Sequence, residues 1–110
     1  MSHVANDRQL FVHVLNLFLQ GSIEVMVRIR KAVAAHDPEA IAMSAHALKG
    51  SAATIGAERV RKVAGDLERM GRSGEIASAK TLMSNLENTF AELLPVIRPL
   101  ADKSRTQAAD

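Results

Sequence analysis

The sequence predicts an all-α protein, an antiparallel up-and-down four-helix bundle with an additional N-terminal helix. Three observations carry that prediction. Apolar residues recur every three to four positions along most of the 110-residue chain, and no stretch sustains the alternation that a half-buried strand needs. Glycine and Asp-Pro punctuation falls at intervals of about one helix length. The core has to be aliphatic, because the chain is 47% hydrophobic yet holds three Phe, no Trp and no Tyr. A single domain of this size can bury such a core.

A first amphipathic segment covers about residues 7–20. Leu10, Val14, Leu17 and Phe18 line one side, with Phe11 and Leu15 widening the stripe. Gly21-Ser22 predicts a break, and Ser22 suits the N-cap of the next helix. That second helix covers about residues 23–35, with Ile23, Met26, Val27 and Val33 apolar and Arg28, Arg30 and Lys31 basic. Asp37-Pro38 marks a new start. An Asp side chain satisfies orphan amides there, and Pro at the first helical position loses no hydrogen bond.

The third helix covers about residues 38–55 and ends at Gly56, which can take the left-handed conformation. The fourth covers about residues 57–70, with Val60, Val63, Ala64 and Leu67 inward, and Gly71-Arg72-Ser73-Gly74 is expected to be a loop. The fifth covers about residues 75–94, with Leu82, Leu86, Phe90 and Leu93 at helical spacing, until Pro95 ends or kinks it. Residues 101–110 lack an apolar stripe and are expected to be a disordered tail or linker remnant, which leaves 1–100 as the domain. Short connections make neighbouring helices antiparallel.

Composition removes several function classes. There is no cysteine, so disulfides, thiolate metal sites and cysteine nucleophiles are excluded. The net charge is only +2, and no aromatic stacking platform accompanies the estimated pI of 9.4, which argues against nucleic acid. The most apolar run, Leu10 to Leu19, is about half the length of a membrane span and contains His13 and Asn16. No basic segment followed by an apolar core opens the chain, so a cytoplasmic location is expected. His3, His13, His36 and His46 are scattered, and no Glu-x-x-His pair occurs, so no metal site is expected in a bundle core.

One helix face carries chemistry. Successive residues of a helix are about 100° apart, which puts Ile41, Ala45, Leu48, Ala52 and Ile55 on one core stripe. His46 lies far around from it, among Ala42, Met43, Lys49, Gly50 and Ala53. A surface histidine alone means little. A glycine in mid-helix costs roughly 1 kcal/mol relative to alanine, and close approach of another molecule is the usual offset. Lys49 can neutralise phosphate as a point charge.

The run Ala45-His46-Ala47-Leu48-Lys49-Gly50-Ser51-Ala52-Ala53 resembles the His-x-Leu-Lys-Gly-Ser signature of histidine phosphotransfer (HPt) domains. The likeness extends to Ile55-Gly56-Ala57, similar to the small turn after the active helix, and to Leu67-Glu68, similar to a leucine–acid pair one helix later. It covers about residues 7–98. The resemblance implies a phosphoryl carrier without an ATP site, taking the group from one receiver-domain aspartate and passing it to another. His46 is then the phospho-acceptor, Lys49 the phosphate-stabilising cation and Gly50 the gap for the receiver. Ala42, Met43, Ala53, Arg61 and Glu68 are the implied docking surface. Some members place a glutamine near the histidine on the next helix. That position is about Glu68 here, a departure, since a carboxylate can orient imidazole but repels phosphate.

The implied partners are response-regulator receiver domains, which bring the Mg²⁺; this chain needs no cofactor of its own. The carrier can be free-standing or the cytoplasmic domain of a membrane-anchored hybrid sensor kinase, and a monomer is expected, since nothing in the sequence demands more. Arg59, Arg61, Lys62, Arg69 and Arg72 form either a solvated face or a steering surface for an acidic receiver. The competing reading is a non-catalytic helical interaction module with a degenerate motif. A histidine kinase core is disfavoured, because Ala47 stands where such cores carry an acid.

Overall fold

The computed structural model describes the backbone of residues 2–109 and the side chains of residues 7–101. Four helices follow one another: α1 (Ser2–Ala34), α2 (Pro38–Ile55), α3 (Glu58–Ser73) and α4 (Ala79–Ala109). Each packs on two neighbours, α1 and α3 both lying between α2 and α4, so the chain closes an up-and-down ring. The core is the expected aliphatic one. Ile29, Ile41, Leu48, Val60, Leu67 and Leu86 are fully buried, and Phe18 meets Phe90 with ring centroids 6.3 Å apart.

The additional N-terminal helical segment is present, but it is continuous with the next: Gly21-Ser22 does not break α1. The reason is tertiary. Leu15, Phe18, Ser22, Met26, Ile29 and Val33 are all buried and three or four residues apart, so one stripe runs through the glycine. Burial of that stripe outweighs the roughly 1 kcal/mol that glycine costs in a helix. Ser22 is therefore no cap. Its hydroxyl is buried without a hydrogen-bond partner.

Continuity also fixes a single phase for α1. Leu10, Phe11, Leu17, Ile23 and Val27, expected on apolar stripes of two separate helices, remain exposed. By length and composition alone, Asp7–Ala34 could cross a membrane. Its buried residues, however, form one wall of the bundle core.

The hairpin of α2 and α3 follows the sequence closely. Asp37 Oδ1 accepts from the amide of Ala40 at 3.1 Å, with Pro38 opening the helix. Gly56 ends α2 at φ 76°, and the amide of Ala57 donates to the carbonyl of Ala52 at 2.8 Å. The predicted loop at Gly71 is instead the last turn of α3, which ends at Gly74 with φ 80°. A Cβ on Gly71 would lie 2.6 Å from the Ala42 nitrogen and the Pro38 oxygen. Glycine there lets α3 touch the backbone of α2.

Helix α4 starts at Ala79, later than expected, and runs through Pro95 and Pro99. Both prolines are exposed, so the carbonyls they leave unpaired are solvated, while Ile97 and Ala101 stay buried against the rest of the fold. The backbone helix extends to Ala109; of the residues expected as the tail, 101–110, Ala101 is buried, and the side chains of 102–110 lie outside the described residues.

Candidate functional site

The core stripe of α2 is as predicted: Ile41, Ala45, Leu48 and Ala52 are buried and Ile55 is half-buried. That anchoring turns the opposite face of α2 outward. The side chain of His46 is 64% exposed there. Met43, Gly50 and Ala53 are also exposed, whereas Ala42 is half-buried where α2 meets Gly71. A Cβ on Gly50 would meet nothing within 4 Å, so packing inside the bundle does not demand this glycine. Its effect is outward, keeping the surface beside His46 low.

Behind His46 stands Glu68 of α3, only 4% exposed. It belongs beneath the imidazole rather than on an exposed docking surface. His46 Nδ1 lies 2.8 Å from Glu68 Oε2. Lys49 Nζ is 2.6 Å from Oε1, and Arg72 Nη2 is 2.6 Å from Oε2. One carboxylate thus gathers the imidazole and two cations.

The Lys49 hydrogen bond is the largest influence on Glu68. It outweighs the burial that opposes ionisation, and His46 and Arg72 act in the same direction as Lys49. Together they hold the carboxyl down from 4.5 to about 2.

An ionised carboxylate only accepts. Nδ1 must therefore carry the hydrogen and donate it to Glu68. In the neutral ring Nε2 is then the nitrogen with a free lone pair, on the exposed side chain. Lys49, the phosphate-stabilising cation that the resemblance implies, is already paired with Glu68. Its ammonium has three donors, and one bond to Oε1 leaves the others for an incoming anion. Its aliphatic stem lies over Gly65, whose Cβ would meet Lys49 Cδ at 3.6 Å.

Arg72 was legible only as a member of a basic face. Its position four residues after Glu68 is the helical spacing of an ion pair, and that signal could have joined it to the site. The other α3 arginines are also partnered: Arg61 with Glu58 at 2.7 Å, Arg59 with Glu92 at 3.1 Å, and Arg69 with Asp66. An open groove beside Glu68 is lined by Lys49, Arg61, Lys62, Gly65, Asp66 and Arg69. Five basic and three acidic residues give α3 a net charge of +2. Among the described residues no three His, Cys, Asp or Glu converge to hold a metal ion.

A family model described as "Hpt domain" matches residues 13–95. Among solved structures, the chain is similar to the histidine-containing phosphotransfer protein B (HptB) of Pseudomonas aeruginosa PAO1. The match has a TM-score of 0.75 and 28% sequence identity, and covers 87% of this chain and 80% of that one. No curated protein matches the chain by sequence.

Proposed function

Because the chain belongs to the Hpt domain family, we propose that His46 is the residue on which it carries a phosphoryl group between receiver domains of a phosphorelay. The protein is a carrier, not an ATP-using kinase. Its partners are response-regulator receivers, and the relay operates in the cytoplasm. The observation that supports His46 most directly is the 2.8 Å bond from its Nδ1 to the buried Glu68, on a side chain otherwise open to a partner.

The lone pair of Nε2 attacks the phosphorus of the receiver's aspartyl phosphate. The P–N bond forms as the P–O bond breaks, and the aspartate leaves as a carboxylate. The ring becomes a phosphoimidazolium, whose positive charge faces Glu68 through the Nδ1 hydrogen. Lys49 turns a free ammonium hydrogen to a phosphoryl oxygen without leaving Glu68. Gly50 and Ala53 leave room for the receiver's loops, the exposed Met43 offers them a flexible apolar contact, and Arg61 lines the groove beside Glu68. Mg²⁺ is supplied by the receiver. The second transfer runs the same steps in reverse. The proposed unit spans residues 1–100, in keeping with the match over 13–95, and removing residues 102–110 leaves transfer intact.

Incubation with a ³²P-labelled phosphoreceiver tests this reading. Wild type should take up acid-labile, alkali-stable label, and His46→Gln none. Equal label on both would sink the assignment.

A further inference from the structure

We propose that the chain self-associates through the projecting ends of α1 and α4, arm against arm, leaving His46 open in both copies. At 1.5 Å per residue, the 33-residue α1 is about 50 Å long and the 18-residue α2 about 27 Å. α2 starts beside the C-terminus of α1 and runs back antiparallel, so it covers only the later half of α1. The 31-residue α4 likewise outruns the 16-residue α3. The first half of α1 and the last part of α4 thus continue together beyond the Gly56-Ala57 turn.

The side of that arm is set by the Phe18–Phe90 contact. Seven residues make nearly two full turns, so Phe11 repeats the direction of Phe18, and Ile97 that of Phe90. Within the bundle this direction is the core: Phe18 is 5% and Phe90 7% exposed. On the arm, Ile97 stays buried with Val12 and Ala101, but Phe11 is 53% exposed. The core-facing side has continued past the end of the helices that cover it. Leu10 at 61%, Val96 at 62% and Leu100 at 37% exposure flank it. Val96 also borders a groove lined by Ala57, Val60 and Leu93 together with the Arg59–Glu92 ion pair, so the apolar patch meets a polar rim at the α2–α3 turn.

Two helices make one layer, and an apolar layer needs a second. Within the bundle the α2–α3 pair supplies it. Beyond the turn, the pair of helices that fits is the same α1–α4 arm of another copy, related by a two-fold axis, which restores four helices. The area is sufficient. At roughly 150–200 Å² per bare large apolar side chain, these four residues expose about 350–400 Å² per copy. A pair then buries about 700–800 Å² of apolar surface. With the usual polar rim this makes about 1,100–1,200 Å² in all, the lower edge of specific interfaces. That size, at the low end, fits a reversible rather than a permanent dimer. His46 projects from the outer side of α2, about nine residues before its end, away from this contact.

Sedimentation velocity on the full chain, from about 5 to 500 μM, tests the proposal. A concentration-dependent dimer is expected in wild type. Phe11→Glu and, separately, Leu100→Glu should each weaken it at least tenfold, with helical circular dichroism and receiver-to-His46 transfer unchanged. A wild type that is monomeric throughout overturns the proposal. So does a dimer that both variants leave intact. A chain that stays monomeric and co-sediments with phosphatidylcholine vesicles, losing this in Phe11→Glu, overturns it in favour of a lipid surface. Transfer to His46 is read separately, so loss of the dimer leaves the carrier assignment standing.

Discussion

Glu68 is the residue on which the site turns. Its carboxyl is held near 2, below the ordinary 4.5 that it regains on unfolding. Between those values the unfolded chain binds the extra proton, so stability falls as pH falls. The contribution is complete above about pH 4.5 and is lost as pH drops toward 2. Lys49 and Arg72 are partly exposed, so solvent screening limits the contribution to a few kcal/mol at most. Thermal unfolding should find Glu68→Gln less stable than wild type at pH 7, with the gap narrowing at pH 3. A gap unchanged between these values would contradict the ion-pair account. The sequence located Glu68 by spacing. It could not place it under the ring, because that depends on how closely α3 sits on α2, which Gly71 decides.

Two glycines separate contact within the fold from contact with a partner. Gly71→Ala puts a Cβ 2.6 Å from two backbone atoms of α2 and should destabilise by about 2–3 kcal/mol in denaturant titrations. Gly50→Ala meets nothing and should gain about 1 kcal/mol of helix propensity. Gly50→Arg should fold normally and slow transfer by blocking the receiver. Normal transfer in Gly50→Arg would remove the close-approach role.

Among the elements, α2 was the most legible, because cap, first-turn proline, stripe and terminal glycine all agree locally. α1 was not. Gly21-Ser22 asks for a stop by local rules, and only the buried stripe from Leu15 to Val33 overrules it. α4 likewise passes two prolines because both face solvent. The override in α1 leaves a mark that can be measured. Removing the orphaned hydroxyl in Ser22→Ala, while keeping the helix, should raise stability by about 1 kcal/mol. A loss of stability would mean that Ser22 has a partner in solution. The core of α2, α3 and α4 was readable from periodicity; the phase of α1 was not, since two short segments read apart carry two phases.

At the scale of the molecule, α3 places a net charge of +2 next to the imidazole. All four of its arginines are internally paired, so it acts as a weak field rather than a set of free hooks. Steering of an acidic receiver predicts that transfer at limiting concentrations slows with salt, as screening shortens to about 8 Å at 0.15 M. Lys62→Glu should slow it further at low salt without changing the rate within a preformed complex. Salt-independent transfer would reduce α3 to a solvated face. The bundle itself contributes rigidity: a narrow body of 52 × 21 × 18 Å, with four packed helices, holds α2 and α3 in the register that joins His46 to Glu68.

The most direct test is ¹⁵N and ³¹P NMR of the carrier after loading from a phosphoreceiver. One phosphohistidine is expected, at His46, with phosphorus on Nε2 and a protonated Nδ1 whose resonance moves in Glu68→Gln. Phosphorus on Nδ1, or on any residue other than His46, would contradict it.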